Sequence, residues 1–254
     1  MRLSRFLHCI CQIRGANDGH GQHTADKQSA IRKRARRGVV AQSSIYYTPY
    51  VTMNLTEQIE KAGSDHLPTF GGTFEGGYYI QQNPAELADL IRAMNGRQIN
   101  SYLQIGSAAG GTERFLCEQV GIFDLTIIDD GQHSKFRIWT DVNKSALEAQ
   151  GVQVSEYIGS SHNPAAKFFL ESLGKTFDLI GIDGDHSPAG VDMDWKLIER
   201  FSKPGTLVWF HDISGNLLPP EMQGGRQSWD MVSKLHKVIF ETRRHCGIGV
   251  LEII

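Results

Sequence analysis

The sequence predicts an α/β protein built on an open, mostly parallel, doubly wound sheet, and three observations carry that prediction. Short apolar runs at 101–105, 125–128, 152–157, 177–182, 206–210 and 247–254 alternate with helical stretches at 112–120, 134–149, 165–173, 191–201 and 229–238, the signature of repeated β-α-β units. Six strands with five intervening helices are too few to close an eightfold barrel, which leaves an open sheet. At 254 residues, 40% hydrophobic and 21% charged, the chain is long enough for one large core and has the composition of an ordinary globular protein.

The first 52 residues stand apart from this pattern. They hold nine of the 26 Lys/Arg and two of the 28 Asp/Glu, a local charge of +7 that leaves −9 over 53–254. The cluster Ile31-Arg-Lys-Arg-Ala-Arg-Arg37 lies in a stretch without sustained helical or strand period, which reads as a disordered basic tail. A nucleic-acid arm and an Arg-rich transit peptide are its functional readings; the favoured one is a start at Met53, where the composition changes, making 53–254 the domain. An acidic body has no electrostatic reason to track a phosphate backbone, so nucleic acid is not the expected partner. No run of 18 apolar residues occurs, which excludes a membrane span on length. The four cysteines, Cys9, Cys11, Cys117 and Cys246, form neither a disulfide framework nor a C-x-x-C zinc motif and point to a reducing, cytoplasmic compartment.

From Asn54 a short helix is expected, then a Gly-rich link at 70–79. Asn83-Pro84 with Leu87, Leu90, Ile91 and Met94 predicts a capped amphipathic helix leading into the sheet. The first strand runs into Leu103-Gln-Ile-Gly-Ser-Ala-Ala-Gly-Gly-Thr112, with Gly106, Gly110 and Gly111 between strand and helix. Glycines there let backbone pass close to a ligand, and the next helix N-terminus presents N–H groups and about half a positive charge. The second strand ends in Asp129-Asp130, about 20 residues after the glycines, where Asp129 is placed to accept from a ribose diol. A dinucleotide loop calls for glycine at 108, where this chain has Ala108, so a pyrophosphate is not the favoured ligand. A nicotinamide-dependent oxidoreductase and a non-catalytic nucleoside-binding module stand as the alternatives.

Asp183 and Asp185-His186 follow the fourth strand and His211-Asp212 the fifth, so all five should meet at the carboxyl edge where open sheets bind ligands. Asp183, His211 and Asp212 suit a divalent ion such as Mg²⁺. Asp185 is expected to cap a helix, and Trp195, Trp209 and Trp229 to serve as core or interface aromatics. His133 and Arg137 fit an exposed helix face within reach of a substrate.

The glycine loop, the run Phe177-Asp-Leu-Ile-Gly-Ile-Asp-Gly-Asp-His-Ser187 and the run Lys203-Pro-Gly-Thr-Leu-Val-Trp-Phe-His-Asp-Ile213 together resemble the class I S-adenosylmethionine-dependent methyltransferases, most of all the branch of antibiotic sugar O-methyltransferases and cephalosporin hydroxylase-like proteins. The resemblance spans roughly 71–254. It implies a Rossmann-like sheet of seven strands with the last antiparallel, and S-adenosylmethionine over the strand ends. By position, Gly106, Ser107 and Gly110 would line the methionine part together with Asp183, and Asp129 would hold the ribose. Ser160, Ser161 and His162 fall at the adenine; many relatives read Gly-Asp-Ser-His where this chain reads Gly159-Ser-Ser-His162. Metal carboxylates match Asp183 and Asp212, with His211 in place of a third acid, an exchange that favours Mg²⁺ less and admits Mn²⁺, Fe²⁺ or no metal at all. His186 matches the general base, acting with Asp183 on a hydroxyl of a small molecule or sugar. The identity of that acceptor, and whether copies of the chain form a homo-oligomer, are not legible.

Overall fold

In the computed structural model, which describes residues 53–63, 77–215 and 218–254, seven strands form: β1 (Ser101–Ile105), β2 (Asp124–Asp129), β3 (Gln153–Ile158), β4 (Leu179–Ile182), β5 (Leu207–His211), β6 (Lys237–Thr242) and β7 (Ile248–Glu252). Around them lie α1 (Leu55–Gly63), α2 (Pro84–Ala93), α3 (Gly111–Val120), α4 (Phe136–Ile138), α5 (Lys144–Ala149), α6 (Pro164–Leu173), α7 (Pro188–Ile198) and α8 (Gly224–Val232). The expectations for the basic tail at 1–52 and for most of the Gly-rich link fall outside the described residues.

The strands form one sheet in the order β3-β2-β1-β4-β5-β7-β6. β1 to β5 pair in parallel, while β7 runs antiparallel to both β5 and β6. This is the seven-stranded, doubly wound sheet with antiparallel last strand that the resemblance implied. Its central strands are mostly apolar and buried because both faces are covered. Tyr102, Leu179, Leu207 and Trp209 pack toward α2 and α3 on one face, while Leu103, Ile180, Val208 and Phe210 pack toward α6 and α7 on the other. Three helices open on the same device, a polar cap followed by proline: Asn83 accepts from Ala85 N and Glu86 N, Asn163 from Ala165 N, and Ser187 from Gly190 N. Each cap sits just before a helix whose own N–H groups at that end have no intrahelical acceptor.

Two expectations need correction. The stretch 229–238 is not one helix: α8 starts earlier, at Gly224, and ends at Val232, and residues 237–242 form the sixth strand. Gly224 and Gly225 look like loop residues, yet a Cβ at Gly224 would lie 2.4 Å from Ser187 O and one at Gly225 2.2 Å from His211 O. Glycine there lets the helix pack against the strand ends, a requirement of tertiary contact that local propensity does not carry. The stretch 134–149 is also broken, by a π-turn at Trp139–Asn143 between α4 and α5. The turn brings Trp139 and Asn143, both fully buried, to the same inward side.

Candidate active site

The carboxyl ends of β1, β2, β4 and β5 open onto a crevice of about 720 Å³ that contains Gly106, Ser107, Asp129, Ser160, Ser161, Asp183, His186, His211 and Asp212 in its walls. The volume suits a nucleoside-sized ligand. The crevice is acidic: seven Asp or Glu and four His line it and, among the described residues, no Lys or Arg. Gly110 is the one proposed cofactor residue that does not line it.

The glycine loop is held by the protein itself. A Cβ at Gly106 would lie 2.1 Å from Asp183 O, and one at Gly110 2.2 Å from the Trp139 ring; both residues have positive φ, +78° and +75°. Gly110 therefore serves packing over the π-turn rather than close approach of a ligand. Gln104 Nε2 donates to Gly106 O (2.6 Å), and Asn143 Nδ2 donates to Ala109 O (2.7 Å) and Tyr78 O (2.8 Å). The amides expected to face a ligand are spoken for as well: Asp129 Oδ2 accepts from Ser107 N (2.7 Å) and Ala108 N (2.9 Å), and its Oδ1 accepts from Gly131 N (2.8 Å). A carboxylate has about four lone-pair sites. Three are used by backbone, which leaves Asp129 room for one further donor at the crevice wall. Behind the loop, Glu113 is buried, and burial, reinforced by Asp183 and Asp129, raises its pKa well above the usual carboxylate range against its own backbone N–H and the Ser107 hydroxyl.

The reacting end gathers two carboxylates and two imidazoles. His186 Nδ1 lies 2.7 Å from Asp212 Oδ2, and its Nε2 3.6 Å from Asp183 Oδ1. The Asp212 carboxylate raises the His186 pKa above its usual value, outweighing the burial that lowers it. His211 Nδ1 lies 3.1 Å from Asp183 Oδ1 and 3.3 Å from Asp212 Oδ1. Burial works to lower the His211 pKa, but the two carboxylates raise it well above the ordinary imidazole range. Asp212 answers in kind: burial works to raise its pKa, yet His211 and His186 hold it far below the usual range. Asp212 also has φ +60°, the left-handed region that L side chains rarely adopt.

At the opposite wall, Ser161 Oγ donates to Asp194 Oδ1 (2.6 Å), and His162 Nε2 lies 3.2 Å from the same oxygen. Asp194 is fully buried on α7, and burial raises its pKa to about 6 despite Ser161 and His162. Ser160 is exposed, and its Oγ accepts from His162 N (3.2 Å). Asp185 Oδ1 accepts from Ser187 N (2.9 Å), so it shapes the turn into α7 while Ser187 makes the cap. Trp195, Trp209 and Trp229 are buried. Arg137 is exposed and pairs with Asp141, while His133 reaches the crevice.

Three contributors carry no local signal in the sequence. Gln82, just ahead of α2, donates through Nε2 to Asp183 Oδ2 (2.8 Å). Asn143 reaches the loop only because of the π-turn, and Asp194 lies on the buried side of a helix far along the chain. Cys246, which belongs to no cysteine motif, also lines the crevice beside His211 and Asp212.

Residues 103–213 match the family model of a methyltransferase domain. No curated protein matches the chain. Among solved structures, it is similar to the O-methyltransferase TomG of Streptomyces achromogenes, involved in tomaymycin synthesis and solved with S-adenosylmethionine (17% identity, 79% of this chain, 90% of that one, TM-score 0.50). It is also similar to the S-adenosylhomocysteine-bound methyltransferase PaMTH1 of Podospora anserina (14%, 82% and 89%, 0.51) and to CalS11, a TDP-rhamnose 3'-O-methyltransferase of calicheamicin biosynthesis (12%, 66% and 77%, 0.50). At these identities the shared property is the fold.

Proposed function

With a methyltransferase domain as the premise, we propose that this protein transfers the methyl group of S-adenosylmethionine to a hydroxyl of a small molecule or sugar. The observation that carries the reading is the charge of the crevice. S-adenosylmethionine is a net cation, whereas a dinucleotide carries an anionic pyrophosphate. A crevice with seven acids and no Lys or Arg among its described residues favours the cation. Two like charges about 4 Å apart repel by about 4 kcal/mol at the effective dielectric of a protein surface. The Ser107 and Ala108 amides, which a phosphate would need, already serve Asp129.

In this reading Asp129 takes a ribose hydroxyl on its remaining lone pair, Gly106 and Ser107 flank the methionine part together with Asp183, and Ser160 and Ser161 meet the adenine. His186 removes the proton of the acceptor hydroxyl, and Asp212, 2.7 Å from its Nδ1, steadies the imidazolium that results. The acceptor oxygen then forms its bond to carbon as the carbon–sulfur bond breaks, and holding the two in line is worth about 7–11 kcal/mol. Asp183, His211 and Asp212 would hold a divalent cation, whose chemistry there is to make a bound hydroxyl more acidic.

Calorimetric titration of the full chain with S-adenosylhomocysteine and with NAD tests the cofactor, and tritium transfer from methyl-labelled S-adenosylmethionine into metabolite extracts tests the reaction. Binding of the thioether with no NAD binding, and label in a small molecule, are the expected results. NAD binding without S-adenosylhomocysteine binding overturns the reading; binding of the thioether without any label transfer leaves a nucleoside-binding module. Activity that survives exhaustive chelation removes the cation from the reaction.

A further inference from the structure

Methyl transfer makes no use of Cys246, yet the fold fixes its position with care. His211 is the last residue of β5 and pairs with Ile248 of β7, so the residues just before β7 are brought against those just after β5. Ser214 N donates to Cys246 O (2.9 Å), and Ser214 Oγ donates to His245 O (2.6 Å) and to Cys246 O (2.7 Å). From the other side the buried Glu86 accepts through Oε1 from His245 N (2.9 Å) and Gly247 N (3.1 Å). Gly247 permits the approach, since a Cβ there would lie 2.6 Å from Ser214 N. Backbone is thus gripped from both sides, and the Cys246 thiol itself lies 3.2 Å from His245 Nδ1.

The thiol side chain meets a matching set of donors. His211, Asp212 and Cys246 each offer one ligand atom, all within 4.8 Å of one another. His211 is 91% buried, being 9% exposed. Its Nδ1 has carboxylate oxygens at 3.1 and 3.3 Å, yet it makes a hydrogen bond to neither. A nearly buried ring nitrogen placed beside two carboxylates without hydrogen-bond geometry to either asks for an explanation, and a cation shared among the three groups is one.

We infer that His211 Nδ1, the Asp212 carboxylate and Cys246 Sγ form a binding site for a divalent transition ion of the zinc type, with Asp183 beside it. Magnesium takes oxygen ligands in near-ideal octahedral geometry and keeps several waters. Thiolate and imidazole together select softer ions, zinc, cobalt(II) and iron(II) among them. Three protein ligands of mixed nitrogen, oxygen and sulfur type leave a fourth position for water or substrate, the pattern of a reactive zinc centre rather than a closed structural one. Relative to the expected set of Asp183, His211 and Asp212, the inference adds the Cys246 sulfur and sets Asp183 beside the ion. The inference concerns the ion alone and stands whether or not methyl transfer is the reaction.

Cobalt(II) titration of the full chain, freed of metal by dialysis against chelator, tests the site directly. The expected result is a near-ultraviolet sulfur-to-cobalt charge-transfer band that saturates at one ion per chain and disappears on adding Zn²⁺ but not Mg²⁺. Cys246→Ser should abolish the band and weaken Zn²⁺ binding at least about tenfold, with an unfolding midpoint close to that of the parent. His211→Ala should weaken binding as well. Cys117→Ser, at a buried thiol on α3, and a Cys9→Ser/Cys11→Ser double variant should keep the band. Weak cobalt bands without charge transfer, a band that persists in Cys246→Ser, or displacement of Zn²⁺ by equimolar Mg²⁺ would each overturn the inference.

Discussion

Replacing Asp129 by asparagine probes the join between β2 and the glycine loop, where one side chain has two duties. Its Oδ2 holds Ser107 N and Ala108 N, and its Oδ1 holds Gly131 N. In asparagine the amide oxygen can keep the first pair, but the NH₂ group then faces the Gly131 N–H, donor against donor. Losing one hydrogen bond to a charged acceptor costs about 1.5–3 kcal/mol. For a domain of this size that lowers the thermal midpoint by roughly 3–12 °C. The ribose hydroxyl loses a charged acceptor too, and the same range of free energy raises the dissociation constant for S-adenosylhomocysteine roughly ten- to hundredfold. Scanning fluorimetry reads the first effect and calorimetry the second. A lowered midpoint with unchanged affinity leaves Asp129 as a loop clasp and removes it from the ribose; no change in either quantity refutes the whole account of this residue.

Three further outcomes follow from the same geometry. His186→Gln should lower kcat by about 10²–10⁴ with unchanged S-adenosylhomocysteine affinity; turnover at the parent rate would dismiss the base. Asp194, raised by burial from 3.8 to about 6, contributes stability that is fully present below its unfolded pKa and lost as pH rises through about 6. The stability of the parent relative to Asp194→Asn should therefore fall by about 3 kcal/mol between roughly pH 3 and 7, and a flat difference would contradict the buried-acid assignment. Gly110→Ala should cost about 2–5 kcal/mol, from a left-handed backbone and from crowding against Trp139. Gly121→Ala has a similar φ of +82° but no atom within 4 Å of the added carbon, so it should show the backbone part alone, and equal losses at both sites would argue against the Trp139 contact.

The sheet was legible because its central strands are covered on both faces, which makes 101–105, 177–182 and 206–210 predominantly apolar runs, with Ser101, Gln104, Asp178 and Thr206 as the polar interruptions. The sixth strand was not: Lys237, Val238 and Glu241 are exposed at the sheet edge, so 237–242 lacks such a run, and Trp229 and Val232 just before it do belong to a helix. The acids and histidines at the strand ends could be grouped from sequence, since a parallel sheet brings all its carboxyl ends to one side. What they do to one another could not. That Asp129 consumes the loop amides, that Gly110 yields to Trp139, and that Cys246 joins His211 depend on contacts between segments 21 to 35 residues apart in the chain. Spacing along a sequence carries no information about such meetings unless a motif already encodes them, and the π-turn at Trp139–Asn143 has none.

The placement of β7 sets an order in which the sheet can come apart. Among the described residues β6 bonds to β7 alone, while β7 is bonded along both sides. The outer strand can therefore peel away with its own ladder broken and the inner one intact. Amide hydrogens of Lys237–Thr242, and those of β7 that donate to β6, should exchange with solvent well before the β7 amides that donate to β5. The junction of Ser214 with Cys246 is anchored on that late-opening side, so fraying at the margin leaves the chemistry of the crevice undisturbed.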